Sequence, residues 1–280
     1  MGTNKRYITN NEFSGTDLVW LRDSLGKLFI NGCGIEIGAL HKPLKISLDK
    51  CFVKYVDYKS YEENRVRYPE LANEEIVTTD IVDDGFILKS VPDKTLDFII
   101  ANHTLEHSPD PHGTLVTWSN KLNKNGIIFI AVPIAEQCYD KGREITTLEH
   151  LKRDHRLFKQ NLKQEIIEVT KSHIQEFIEI SDNNIRIMNS MEPADEKSKN
   201  QLCSDLIDSL QDEFSHIDGY EELITAHVKR INRVYDIHYH TFTPISYEEF
   251  LINFCDENYC KLENVTKSGD VECIGIIRKL

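Results

Sequence analysis

Residues 98–133, "FIIANHTLEHSPDPHGTLVTWSNKLNKNGIIFIAVP", hold a complete strand–helix–strand unit, and its order decides the fold. The run 95–102 ("TLDFIIAN") is apolar over strand length. The segment 113–123 ("GTLVTWSNKLN") carries its apolar residues at helical spacing, "NKNG" reads as a turn, and 126–133 is a second apolar run. Two such runs joined by a helix are parallel neighbours in a sheet.

The same alternation extends upstream. Short apolar runs at 34–38 ("GIEIG"), 52–58 ("FVKYVDY") and 75–82 ("EIVTTDIV") are separated by the helix-compatible "SYEENRVRYPEL". An amphipathic helix over 16–29, with Leu18, Leu21, Leu25 and Phe29 on one stripe and Thr16 or Asp17 as N-cap, precedes them. After Pro133 the regularity stops, and from about 147 to 235 two long segments show i, i+3, i+4 apolar spacing around the polar loop 181–200. The pattern then returns with a strand at 235–242 ("YDIHYHTF"), a helix at 246–257 capped by Ser246, and a final strand at 271–280. The expected fold is α/β: a doubly wound, Rossmann-like seven-stranded sheet with a helical insertion after strand five. The expected division is 1–146 for the N-terminal helix and cofactor-binding core, 147–234 for the insertion acting as lid and acceptor region, and 235–280 for the strands completing the sheet.

Charge narrows the partners. The net charge is -13 with no long Lys/Arg tract, which disfavours nucleic acid, whose binding needs a basic face. The seven cysteines are scattered without a CxxC pair, as in a reduced cytosolic protein. The N-terminus lacks an apolar signal run, and no apolar stretch approaches the roughly 20 residues that span a bilayer. A cytoplasmic protein without membrane insertion is expected.

In a doubly wound sheet ligands bind at the carboxyl ends of the strands. The first strand ends Glu36-Ile37-Gly38, but the later positions of a dinucleotide fingerprint counted from Gly38 fall on Leu40 and Pro43. The N–H cradle that a pyrophosphate requires is therefore missing, as is a Walker A lysine motif. Acidic residues nevertheless close three strands in turn: Glu36, Asp57 about 20 residues later, where ribose hydroxyls are bound, and Asp80. Such a set suits a ligand with ribose, amine and adenine donors and no phosphate.

These residues resemble the class I S-adenosylmethionine-dependent methyltransferases, in the small-molecule branch. "IEIGALHKP" is similar to the first motif of that family, although Leu40 and Lys42 stand where further glycines are common. "VDY" resembles the ribose-binding motif and "TTDIVDD" the adenine-side motif. The quoted stretch 98–133 is the most specific match. The resemblance implies that Glu36, Gly38 and Ala39 border the methionine end, Glu36 facing the ammonium. Asp57 and Tyr58 would hold the ribose, Asp80 and Ile81 would frame the adenine, and Asn102, His103 and His107 would lie towards the sulfonium. S-adenosylmethionine is the implied cofactor.

Methyl transfer needs an aligned nucleophile and, for a hydroxyl acceptor, a base. Two patches offer one. "TTLEHLKRDH" (146–155) places His150 and Asp154 at i, i+4 on one helix face, and "IHYH" (237–240) places His238 and His240 on one face of a strand. These four are the catalytic candidates, and the histidines could equally bind a divalent metal. His112, His173, His216 and His227 are assigned to the surface. "R..T..EHL..D" followed by "HYH.FTP" resembles bacterial glycan-associated methyltransferases. The expected activity is O-methylation of a sugar or other polar small-molecule acceptor. The alternatives are a metabolite methylated at N or C and a non-catalytic cofactor-binding scaffold, with a homodimer as a further expectation.

Overall fold

The computed structural model describes residues 15–232 and 235–280, with side chains from Leu21 onward. Its helix α1, Gly15–Phe29, already contains Thr16 and Asp17, so neither is the cap, and the residue before it lies outside the described set. The sheet consists of β1 (Gly32–Ile37), β2 (Cys51–Asp57), β3 (Ile81–Val82), β4 (Leu96–Asn102), β5 (Leu122–Pro133), β6 (Cys260–Ser268) and β7 (Glu272–Lys279). Among the described residues it has seven strands in the order β3-β2-β1-β4-β5-β7-β6. β1 to β5 are parallel, and β7 runs antiparallel to both β5 and β6. This is the α/β, Rossmann-like architecture expected.

Alternation along the central strands sorts the core into two layers. Phe98, Ile100, Ile127, Phe129, Ile274 and Ile276 face α1 and Leu44, while Ile99, Ala101, Ile128, Ile130 and Val132 face the opposite layer with Trp118 and Phe250. That second layer includes α3 (Pro111–Lys121), capped by Asp110, whose carboxylate accepts the Gly113 N–H at 2.9 Å. It also includes α9 (Pro244–Glu257), which starts two residues before the sequence reading and is capped by Thr243, with Ser246 completing the capping box. The short α2 (Tyr61–Arg67) opens on a capping box between Ser60 and Glu63.

Two strands differ from expectation. Of 75–82 only Ile81–Val82 pairs with β2; before it, Val77 donates to the Leu40 carbonyl instead of a ladder partner. The segment 235–242 is extended but is not a strand of the sheet. It threads between loops: Tyr239 N–H donates to Glu106 O, Thr146 N–H to Thr241 O, and Phe242 meets Ile134 in one bridge. The place expected for it is taken by β6, a half-exposed edge strand whose polar sequence "CKLENVTKS" hides its period.

The helical region comprises α4 (Leu148–Lys159), α5 (Lys163–Glu176), α6 (Asn183–Met188), α7 (Glu196–Phe214) and α8 (Tyr220–His227). A widened π turn over Phe177–Asp182 joins α5 to α6. Ile166, Ile174, Phe177, Leu210, Phe214 and Ile224 belong to the same apolar cluster as Ile99 and Ile128 of the sheet. No helix among the described residues is long and apolar enough to cross a membrane.

Candidate active site

The carboxyl edge is built by register. Glu36 lies level with Tyr55 and Ile100, Ile37 with Val56 and Ala101, and Asn102 with Ala131. After β1 the chain turns through Gly38 at φ +66° and Leu40 at φ +46°. Leucine there accepts strain that glycine would avoid. The loop folds back so that Leu44 N–H donates to Glu36 Oε1 at 2.9 Å. Burial pushes the Glu36 carboxyl up to about 7, against that hydrogen bond and the charge of Arg22. Ala39 sits inside the same turn, its carbonyl accepting from Lys42 N–H.

Asp57 closes β2, accepts Lys59 N–H at 3.0 Å, and is raised above the ordinary carboxylate value chiefly by burial. Tyr58 follows it, its phenol also pushed up by burial. Asp80 is placed differently from the sequence reading. It precedes β3, and its carboxylate accepts Tyr55 N–H at 2.8 Å, so it extends the ladder, with Ile81 next in β3. The residues beyond the carboxyl end of β3 are Asp83, which holds Ser90 through both N–H and hydroxyl, and Asp84.

The loop after β4 buries several polar and charged side chains. Both amide atoms of Asn102 are buried without a hydrogen-bond partner, as are both carboxylate oxygens of Glu106, which is 0% exposed. Burial raises the Glu106 carboxyl. His103, at φ +52°, meets Glu272 Oε2 at 2.8 Å and Glu106 Oε1 at 3.7 Å. Burial lowers its pKa, but the two carboxylates outweigh that, and the imidazole is raised above its ordinary value. Neither carboxylate is assigned a role from the sequence: Glu106 is a local i, i+3 neighbour of His103, whereas Glu272 is remote in the chain and only folding brings it there.

Behind this loop stands a relay. His238 Nδ1 lies 2.5 Å from Asp140 Oδ2, and His238 Nε2 lies 2.5 Å from the Tyr139 hydroxyl. Burial would raise Asp140, but the His238 hydrogen bond and the charge of Arg143 hold it well below the usual carboxylate range. Arg143 Nη1 is 3.0 Å from Asp140, and Ser181 donates to the same carboxylate at 2.7 Å. An ionised Asp140 fixes the proton on Nδ1, leaving Nε2 as an acceptor towards Tyr139. His107 packs edge-on against His238 at 4.6 Å, bonds Ile237 O through Nδ1, and is depressed to about 3 by burial.

A second cluster unites His150, Asp154 and His240 with His173. His238 does not join His240, contrary to the shared face expected of a strand: an unpaired segment imposes no such face, and the two rings serve separate groups. Three histidines assigned to the surface are buried. His173 lies in this cluster, His227 bonds Thr170 at 3.0 Å, and His112 packs at a tilt against His155, ring centroids 4.5 Å apart. The signal available for His173 was its place on the apolar stripe of α5, beside Ile166, Thr170 and Ile174.

The model of the methyltransferase domain matches residues 14–177, more than half of the 280 residues, and the chain belongs to that family. It is an S-adenosylmethionine-dependent methyltransferase. No curated protein sequence matches the chain. Among solved structures it is similar to a SAM-dependent methyltransferase of Aquifex aeolicus, with 10% identity, TM-score 0.40, and coverage of 96% of this chain and 100% of that one. A Methanococcus maripaludis structure assigned to the same activity gives 13% identity, TM-score 0.39, and coverage of 94% and 84%. The CurJ carbon methyltransferase gives 9% identity and TM-score 0.38; 88% of this chain covers only 48% of that chain, about half its length.

The edge fits the family's cofactor. Unpartnered buried amide atoms at Asn102, a buried acid at Glu36 and a tight turn at Gly38 are groups a polar ligand would satisfy. Glu36, Gly38 and Ala39 would hold its amino-acid end, Asp57 and Tyr58 its ribose, and Asn102 and His103 its sulfonium side.

Proposed function

We propose that this methyltransferase acts on a hydroxyl group of a polar small molecule, a saccharide or glycan being the favoured class. The observation that carries the reading is the Asp140–His238–Tyr139 relay beside the β4 loop. Bound S-adenosylmethionine supplies an electrophilic methyl group. Against it, a hydroxyl needs its proton removed, whereas an amine attacks through its free lone pair. Tyr139, half-buried, is the outer member of the relay. Its oxygen takes the acceptor proton as its own proton passes to His238 Nε2, and Asp140 stabilises the imidazolium that forms.

Other features support the same reading. In this reading the helices α4 to α8 would wall the acceptor pocket. The net charge of -13 opposes a polyanionic acceptor. The free cysteines suit a reducing cytoplasm.

The test is methyl transfer from labelled S-adenosylmethionine to panels of saccharides and of amines, with wild type, His238→Ala and Asp140→Asn. The expected result is turnover on hydroxyl acceptors, reduced roughly 10²–10⁴-fold in His238→Ala, with cofactor affinity unchanged. Turnover on amines alone, indifferent to His238, would overturn the reading.

A further inference from the structure

The cluster formed by α4, α5 and the segment 237–240 crowds its polar atoms more closely than protons alone accommodate well. His150 Nε2, His173 Nε2 and Asp154 Oδ2 form a near-equilateral triangle with sides of 3.1, 3.2 and 3.2 Å. Arg153 Nη2 approaches His150 Nε2 at 3.0 Å as well. If His150 Nε2 carries a proton, that proton meets a guanidinium donor and a neighbouring imidazole. If it does not, its lone pair faces the lone pairs of Asp154. The fourth member, His240, is 1% exposed, and neither of its ring nitrogens has a hydrogen-bond partner. A buried imidazole left wholly unpartnered calls for an explanation.

We propose that His150, Asp154, His173 and His240 hold one divalent zinc-class ion. One ligand atom from each residue lies within 4.8 Å of all the others. An ion placed roughly 2.0–2.1 Å from each corner of the triangle, the ordinary Zn–N and Zn–O distance, stands just off its plane, leaving a fourth position for His240. Three imidazoles and one carboxylate form a borderline donor set that suits zinc, cobalt or iron rather than magnesium or calcium. The carboxylate is braced from outside, since Arg153 meets Asp154 Oδ1 through Nε at 2.9 Å and Nη2 at 2.8 Å. On binding, Arg153 keeps those contacts and gives up His150 to the ion.

Four protein ligands, three of them buried, make a closed site, the mark of a structural ion rather than of one that activates water. Its effect is mechanical. It ties α4 and α5 to the segment that also carries His238, and so fixes the relay two residues away. The site is independent of the acceptor class, and these four residues are positioning residues for the transfer.

The experiment is elemental analysis of untagged, chelator-stripped protein after incubation with zinc and dialysis, together with titration by cobalt(II). The expected result is one zinc per chain, and at one equivalent of cobalt the visible absorption of tetrahedral coordination. His240→Ala and Asp154→Asn should each lose this signal, and the exposed His216→Ala should keep it. His240→Cys should retain the ion and add a thiolate-to-cobalt band in the near ultraviolet, a result that misfolding cannot imitate. Circular dichroism and S-adenosylmethionine titration on the same samples separate loss of the ion from loss of the fold or of cofactor binding. Folded wild type that takes up neither metal overturns the proposal. So does full metal content in His240→Ala, which would place the ion elsewhere.

Discussion

Glu36 shows how one residue couples a loop to pH. It is 2% exposed at the end of β1, beneath a loop whose Leu44 N–H it accepts. Its carboxyl titrates near 7 rather than 4.5 because burial outweighs that hydrogen bond. Between those values the folded chain holds a proton that the unfolded chain has shed. Stability therefore falls as pH rises through this window, by about 3 kcal/mol in all, and levels off above it. A cofactor ammonium bound beside Glu36 would favour the ionised form and draw the pKa down. Affinity for S-adenosylmethionine should accordingly rise roughly tenfold from pH 5.5 to 7. Calorimetry should show the rise in wild type and a flat profile in Glu36→Gln; equal slopes would remove Glu36 from the cofactor site. Asp57→Ala belongs to the same scale. Losing a buried acceptor of ribose hydroxyls should weaken binding by about 1.5–3 kcal/mol, and unchanged affinity would contradict its assignment. Glu36 and Asp57 lie at the strand ends where the sequence places them, because each stands at the close of an apolar run. Asp80 misled because β3 begins one residue after it, so its carboxylate turns back to Tyr55.

At the scale of elements, legibility followed exposure. The runs that became β1, β2, β4 and β5 are bounded by turn residues and packed on neighbours, so composition marked them within a residue or two, apart from the polar start of β5. The edge strand β6 was obscure because a strand with one partner and a half-exposed face tolerates polar residues, while β3 is only the apolar end of a run that reads as a longer strand. The segment 237–240 imitated a strand because every residue in it is buried, although loops rather than a ladder bury it. The second cluster was half legible. The i, i+4 pair His150 and Asp154 lies on one helix, whereas His173 comes from the next helix, and nothing local announces that meeting. The closest approach in the sheet gives the element-scale prediction. A Cβ on Gly34 would stand 2.2 Å from the Phe98 carbonyl oxygen, so Gly34→Ala must push β1 away from β4. Chemical denaturation should show a loss of about 1–3 kcal/mol, the usual cost of overpacking. A neutral result would mean that the strands separate without penalty.

For the whole molecule, the issue is whether the helices after β5 form a separable lid or part of the core. Asp110 answers at the level of contacts. While capping α3, its carboxylate also meets His155 of α4 at 2.9 Å and Tyr220 of α8 at 3.1 Å. Arg143 likewise joins the relay to Glu176 at the end of α5. Around these polar ties the apolar side chains of α4, α5, α7 and α8 share one cluster with β1, β4 and β5. A lid resting on a finished domain would leave an apolar seam of its own; here both sides of the junction are buried together. Unfolding should therefore be a single cooperative transition, with far-ultraviolet circular dichroism and tryptophan fluorescence giving coincident midpoints. Asp110→Ala should lower that midpoint without splitting it, at a cost of about 2–4 kcal/mol from a lost cap and stranded buried donors. Removal of residues 156–230 should abolish cofactor binding along with transfer, because it strips one wall from the core. A truncated chain that stays folded and binds S-adenosylmethionine would show instead that the helices are an independent cover over a self-sufficient sheet.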